Sequence, residues 1–168
     1  MPSTFALWMG SYKESMEDNK IMLEAAGALI DRNPLGTGAG YGIPVFDLDR
    51  NLTAEELGFR EVQRNPIYVQ NSRGKFEAII LDALEQVMLT LSKLSQDLIL
   101  FSLPEFGYFR LPDELFAGSS IMPQKKNPCM LELLRAKAAT MSSYSLRVKS
   151  IIRALPSGYN RDFQETKA

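Results

Sequence analysis

The chain has 168 residues, 45% hydrophobic and 23% charged, with a formal net charge of −1. That balance suits one soluble globular domain and gives no electrostatic case for nucleic acid or an anionic membrane surface as partner. A lone cysteine, Cys129, excludes an internal disulfide and points to a reducing cytoplasm; no run approaches the ~18 uncharged apolar residues of a membrane span, and the first residues lack the basic head and apolar middle of a signal peptide.

Apolar spacing predicts a first helix from about Thr4 to Asp31, with Met9, Tyr12, Met16, Leu23, Ala26 and Ile30 on one side and Asn19 interrupting them. A Gly/Pro-rich stretch follows, Asn33 to Pro44, then a short helix near Ala54 to Leu57. The stretch NPLGTGAGYG lacks the G-K-[ST] ending of a phosphate loop and follows no buried strand, so it predicts no nucleotide site. A second helix is expected from near Pro66 to Ser102, because Ile80, Leu84, Val87, Leu91, Leu94, Leu98 and Phe101 alternate spacings of four and three. A third is expected from Pro128 to about Leu155 on Leu131, Leu134, Ala138, Met141, Val148, Ile152 and Leu155, with Ser145 at one seam position. No strand is expected. A helix of about 27 residues is about 40 Å long, and three such rods bury little for their length. Ile79, Leu81, Met88, Leu89 and Ile99 widen the apolar stripe of the second helix beyond what two neighbours cover, which predicts burial against further copies.

Between the second and third helices lies GSSIMPQKKNP, Gly118 to Pro128. Asn127-Pro128 reads as a helix N-terminus, with Asn as cap and Pro at the first helical position. The first turn then directs free N–H groups and partial positive charge at the loop. Lys125 and Lys126 add full charges, Ser119 and Ser120 add donors, and Gly118 permits a tight turn. These parts suit a segment that closes on a carboxylate or phosphate. They also suit a plain connection between two helices with solvated lysines.

The run GSSIMPQKKNP resembles the signature loop of the fumarase/aspartase/argininosuccinate lyase superfamily, G-S-S-x-M-P-x-K-x-N-P. Gln124 before the lysines is similar to the argininosuccinate lyase branch, where adenylosuccinate lyases tend to carry His-Lys-Arg and fumarases Gly-Lys-Val. NPLGTGAGYG, LSQDLILFSLPEFGYFRLPD and LPSGYNRDFQETK resemble the same branch. The similarity runs over nearly the whole chain and covers the middle of a family member.

The resemblance implies an all-α fold, an elongated bundle of long helices of the L-aspartase-like central domain, spanning residues 1–168 with the signature loop at 109–127. It implies a homotetramer whose active sites combine segments of three subunits, no cofactor or metal, and cleavage of argininosuccinate to arginine and fumarate by β-elimination. Ser119 matches the proton-abstracting serine. Lys125 and Asn127 match the positions that hold the substrate carboxylate and its developing negative charge, with Ser120 beside them. Glu132 matches a carboxylate that pairs with a catalytic histidine; its plain alternative is an ion pair with Arg135. Arg73 matches a substrate-facing arginine, or is a first-turn helix charge. Tyr159, Gln164 and Lys167 match substrate-binding positions, or form a frayed polar tail. Lys126 is expected to be a solvated charge, and Cys129 incidental.

The chain contains no histidine. The resemblance places the family's Thr-His pair and N-terminal domain before Met1 and its C-terminal domain after Ala168, so the chain by itself is expected to be a nearly inactive fragment. The alternatives are another fumarate-releasing lyase, similar to adenylosuccinate lyase, and a crystallin-like helical oligomer without activity.

Overall fold

The computed structural model describes residues 1–167; Ala168, the last residue of the expected domain, lies outside the described residues. In chain order the elements are α1 (Phe5–Ile30), β1 (Arg32–Asn33), α2 (Arg50–Glu56), β2 (Glu61–Val62), α3 (Pro66–Asn71), α4 (Lys75–Phe101), a 3-10 turn (Asp113–Leu115), α5 (Cys129–Ile152) and a 3-10 helix (Arg161–Lys167). Contacts divide the chain into two compact units. The first holds Met1–Lys20 with Leu84–Ser143, and the second holds Ile21–Ala83 with Tyr144 onward.

In the first unit the opening turns of α1 meet the later turns of α4 through polar groups. Asn19, which breaks the apolar stripe in the sequence, is buried; its amide donates to the Gln86 carbonyl at 3.3 Å and to Thr90 Oγ1 at 2.9 Å. Thr90 Oγ1 also lies 3.0 Å from Ser15 Oγ and donates to the Gln86 carbonyl. One turn on, the indole of Trp8 and the hydroxyl of Tyr12 donate to the same Asp97 oxygen at 2.9 and 2.6 Å. Burial, then the Asp97 carboxylate, pushes the Tyr12 hydroxyl up to about 12. Trp8 also packs edge-on against Phe101 and stacks on Phe109, anchoring the start of the long loop.

The second unit contains a small departure from all-α. The segment after α1 pairs in parallel with β2, Arg32 opposite Glu61 and Asn33 opposite Val62. Asn33 ties this pair to α2: it is fully buried, its amide donates to the Arg50 carbonyl and Thr53 Oγ1, and its Oδ1 accepts from the Leu35 N–H. The short helix begins earlier than expected, at Arg50, because Asp49 caps it by accepting from the N–H groups of Asn51 and Leu52.

The single helix expected from Pro66 to Ser102 is divided. α3 stops at Asn71 with Ser72 as its cap, and α4 begins at Lys75. Gly74 explains the break: it holds φ +77°, and a Cβ there would collide with the Ile152 side chain. The Ser72 hydroxyl is buried, donating to the Val69 carbonyl and accepting from Gln63 Nε2 at 2.8 Å. The other two long helices lie close to their expected ranges, α5 ending three residues before Leu155.

What the chain buries along α4 is small or polar. Ala78, Ala83, Thr90 and Ser95 are enclosed, whereas Leu84 and Leu89 remain 38% and 41% exposed. Ser145 on α5 is buried and donates to Asp82, whose carboxylate also receives Lys149 Nζ at 2.5 Å. The seam residues Asn19 and Ser145 that look like flaws in an apolar pattern are thus the hydrogen-bonding points of the helix contacts.

Candidate active site

The loop after α4 is folded back at its base. Ala117 and Asn127 form an antiparallel bridge, the Ala117 N–H donating to the Asn127 carbonyl at 2.9 Å and the Asn127 N–H to the Ala117 carbonyl at 3.3 Å. Residues 118–126 are the segment this bridge ties off. Asn127 is not the cap the sequence predicts: its side chain accepts no helix N–H among the described residues. α5 starts at Cys129, and the Pro128 carbonyl accepts the first helical bonds, from the N–H groups of Leu131 and Glu132. The Cys129 N–H is taken by the Asn127 carbonyl. The helix start therefore offers fewer free donors than expected, although its dipole still favours negative charge nearby.

Those donors come from the loop itself. Ser119 Oγ accepts from the N–H groups of Ile121 at 3.3 Å and Met122 at 3.2 Å. Two N–H groups directed at one hydroxyl oxygen form a serine turn, and the same donors would favour negative charge at that oxygen. Residue types alone did not reveal this turn; the Ser-Ser-x-Met spacing is its only sequence trace. Ser119 is half-buried, and Ser120 and Lys125 are exposed. The Lys125 ammonium has no side-chain partner among the described residues, so its charge is available to an anion.

Lys126 is not merely solvated. Its ammonium lies 2.5 Å from Asp113 Oδ1 and 5.8 Å from the Phe116 ring centre. That hydrogen bond and charge hold the Asp113 carboxyl below its usual range. The adjacent lysines therefore divide in role: one ties the loop to the 3-10 turn and the other is unpaired. Glu132 is exposed and forms no ion pair among the described residues. The expected partner, Arg135, donates instead to Gln96.

The other candidates belong to the second unit. Arg73 sits in the break between α3 and α4, not in a helical turn, and its guanidinium lies over the rings of Tyr159 at 5.2 Å and Phe163 at 4.4 Å. The segment 161–167 is an ordered 3-10 helix pinned by the buried Phe163, not a frayed tail. It carries Gln164 and Lys167, both exposed. Gly158 N–H donates to Asn71 Oδ1 at 2.8 Å and joins this segment to α3. The structure thus brings Ser119, Lys125 and Asn127 together on one loop, and Arg73 together with Tyr159 in the second unit.

A family model described as "Lyase" matches residues 1–142. The chain belongs to that lyase family. It is 49% identical over 167 residues to argininosuccinate lyase of Thermotoga neapolitana, an alignment covering 99% of this chain and 42% of the relative. Argininosuccinate lyase of Phocaeicola vulgatus is 46% identical, with 99% of this chain and 37% of the relative covered. Among solved structures, an EDDS lyase variant with bound fumarate superposes with a TM-score of 0.87 at 26% identity, over 92% of this chain and 31% of the other. The chain spans about two fifths of the length of the curated lyases it matches. No helix among the described residues is long and apolar enough to cross a membrane.

Proposed function

We propose that this chain is the central helical part of a lyase that cleaves argininosuccinate to arginine and fumarate. The observation that carries this reading is the 49% identity to an argininosuccinate lyase along 99% of the chain. The Ser119 turn supports the mechanism. Ser119 removes the proton from the carbon beside a substrate carboxylate, and the electron pair left behind spreads into that carboxylate. Collapse of the pair forms the new C=C bond as the C–N bond breaks, and the departing nitrogen takes the bonding pair and a proton. Lys125 and Asn127 hold the carboxylate as charge builds on it, with Ser120 beside them, where fixed donors act more strongly than water. Arg73, Tyr159, Gln164 and Lys167 bind the rest of the substrate. With no histidine in the chain, the acid for the nitrogen is not an imidazole of these residues, and Glu132 has none here to orient. By itself the chain is expected to be inactive or nearly so.

We further propose that the chain works as a homo-oligomer, a tetramer, in the cytoplasm. The exposed Leu84 and Leu89 on α4 and Leu133 and Leu146 on α5 support shared burial between copies. The solution mass of the purified chain tests this part; a monomer at all concentrations counts against it. The activity is tested by fumarate absorbance in the full-length protein supplied with argininosuccinate. No fumarate from argininosuccinate, with release from another substituted succinate, would move the assignment to another branch of the family. No fumarate from any such substrate would favour a scaffold.

A further inference from the structure

The Arg73 guanidinium is held without using its hydrogen-bond donors. Its carbon lies 4.4 Å from the Phe163 ring centre and 5.2 Å from that of Tyr159, and no ion pair or hydrogen bond of its side chain occurs among the described residues. Aromatic rings attract a guanidinium through its charge and its flat face, while the five N–H groups point outward in the plane. An arginine anchored in this way keeps its fork free for a carboxylate, and the anchoring limits the rotamer freedom lost on binding.

The two rings differ in what they can do. Tyr159 is 55% exposed and free to meet a ligand, whereas Phe163 is 6% exposed and packed into the unit. Phe163 Cε1 would lie 3.3 Å from a Cβ at Gly74, so the ring is seated against the backbone break that carries Arg73. Phe163 also directly precedes Gln164 in the 3-10 helix. Arg73 and Phe163 both line a cavity of about 270 Å³ whose wall also includes Asn71, Ser157 and Asn160. No carboxylate lines it to cancel the Arg73 charge, and the Asn71 and Asn160 amides are held by Ser157 Oγ and by the Pro156 and Gly158 carbonyls, which leaves Arg73 as its charged group.

We propose that Phe163 is a positioning residue, fixing Arg73 as a preset receptor for one carboxylate of the substrate. It acts through Arg73, by holding the guanidinium in place. This rests on reading the chain as part of a lyase for dicarboxylates, and it adds a residue and a cause to that reading.

The test is a double-mutant cycle on argininosuccinate cleavage by the full-length protein, with melting temperature recorded for each variant. Phe163→Leu is expected to raise KM roughly tenfold with kcat within about twofold, the scale of a lost cation–π anchor. Phe163→Tyr, which keeps the ring, should restore KM. Arg73→Gln should raise KM at least as much, and adding Phe163→Leu to it should change KM no further. An equal rise from Phe163→Leu with and without Arg73 overturns the proposal, as does a lowered melting temperature with KM unchanged. Failure of the wild-type protein to cleave argininosuccinate would sink the lyase reading separately. In that case equilibrium binding of fumarate and of arginine decides. Weakening of either by both Arg73→Gln and Phe163→Leu upholds the receptor, and binding of neither, or binding indifferent to these changes, ends it.

Discussion

Asn19 on α1 donates to Thr90 Oγ1 on α4 at 2.9 Å, and both side chains are buried. The pair turns two polar residues in a helix seam into a register mark, since sliding either helix by one residue would part the buried Asn19 amide from Thr90 Oγ1. Asn19→Ala should cost about 1–3 kcal/mol, the range for a buried hydrogen-bonding group left unsatisfied. Urea denaturation checks this through a lower midpoint at unchanged slope. A cost near zero would mean that Thr90, which retains the Gln86 carbonyl, needs nothing from Asn19.

Asp82 offers a test by pH. Burial by itself would raise its carboxyl, but the bonds from Lys149 and Ser145 outweigh that and hold it below the usual range. A depressed folded value means the carboxylate stabilises the fold above its unfolded value, about 3.9, and that this contribution fades as pH falls through the lower folded value. Both members of the ion pair are partly exposed, so the contribution is at most about 1 kcal/mol. Asp82→Asn keeps an oxygen for Ser145 and removes only the charge. The variant should be less stable than wild type at neutral pH, and the gap should close in acid. A gap that stays constant across the acid range would mean that charge is not what Asp82 contributes.

The sequence was legible where local chemistry decides the outcome. Helix period located α1 and α5 to within a few residues, and the run GSSIMPQKKNP marked the loop that holds Ser119. It was not legible where a residue far along the chain decides. The break at Gly74 depends on Ile152, and nothing near Gly74 announces it. Asn127 looks like a helix cap, but its backbone pairs with Ala117, ten residues earlier, and the helix starts two residues after it. The buried Asn33 of the small parallel pair is satisfied by acceptors far along the chain, in α2. Along α4 the chain alone encloses its alanines, Thr90 and Ser95, while the large apolar positions picked out by the helix period stay half-buried or, at Leu84, exposed.

Gly74 yields the third prediction. Its φ of +77° costs an L-residue strain of order 1 kcal/mol or more, and a methyl group there meets Ile152. Gly74→Ala should therefore destabilise by roughly 2–4 kcal/mol once the clash is added. Ile152→Ala in the same chain should recover part of the loss, because it removes the atoms in the way. Both are read from denaturation midpoints. If Ile152→Ala gives no recovery, backbone conformation alone is the cause.

The fourth concerns Ser119. In the full-length protein, Ser119→Ala should lower kcat by roughly 10²–10⁴, the usual range for a lost proton-transfer group, with little change in melting temperature or oligomer mass. The structure gives a reason to expect the fold to survive: the hydroxyl only accepts from Ile121 and Met122, whose N–H groups lie on an exposed loop and can turn to water. Ser120→Ala should cost far less, because no backbone N–H is directed at that exposed hydroxyl among the described residues. The contrast between neighbouring serines separates chemistry from general loop damage. Equal losses at both positions would point to loop conformation, and survival of activity in Ser119→Ala would place the base on another residue.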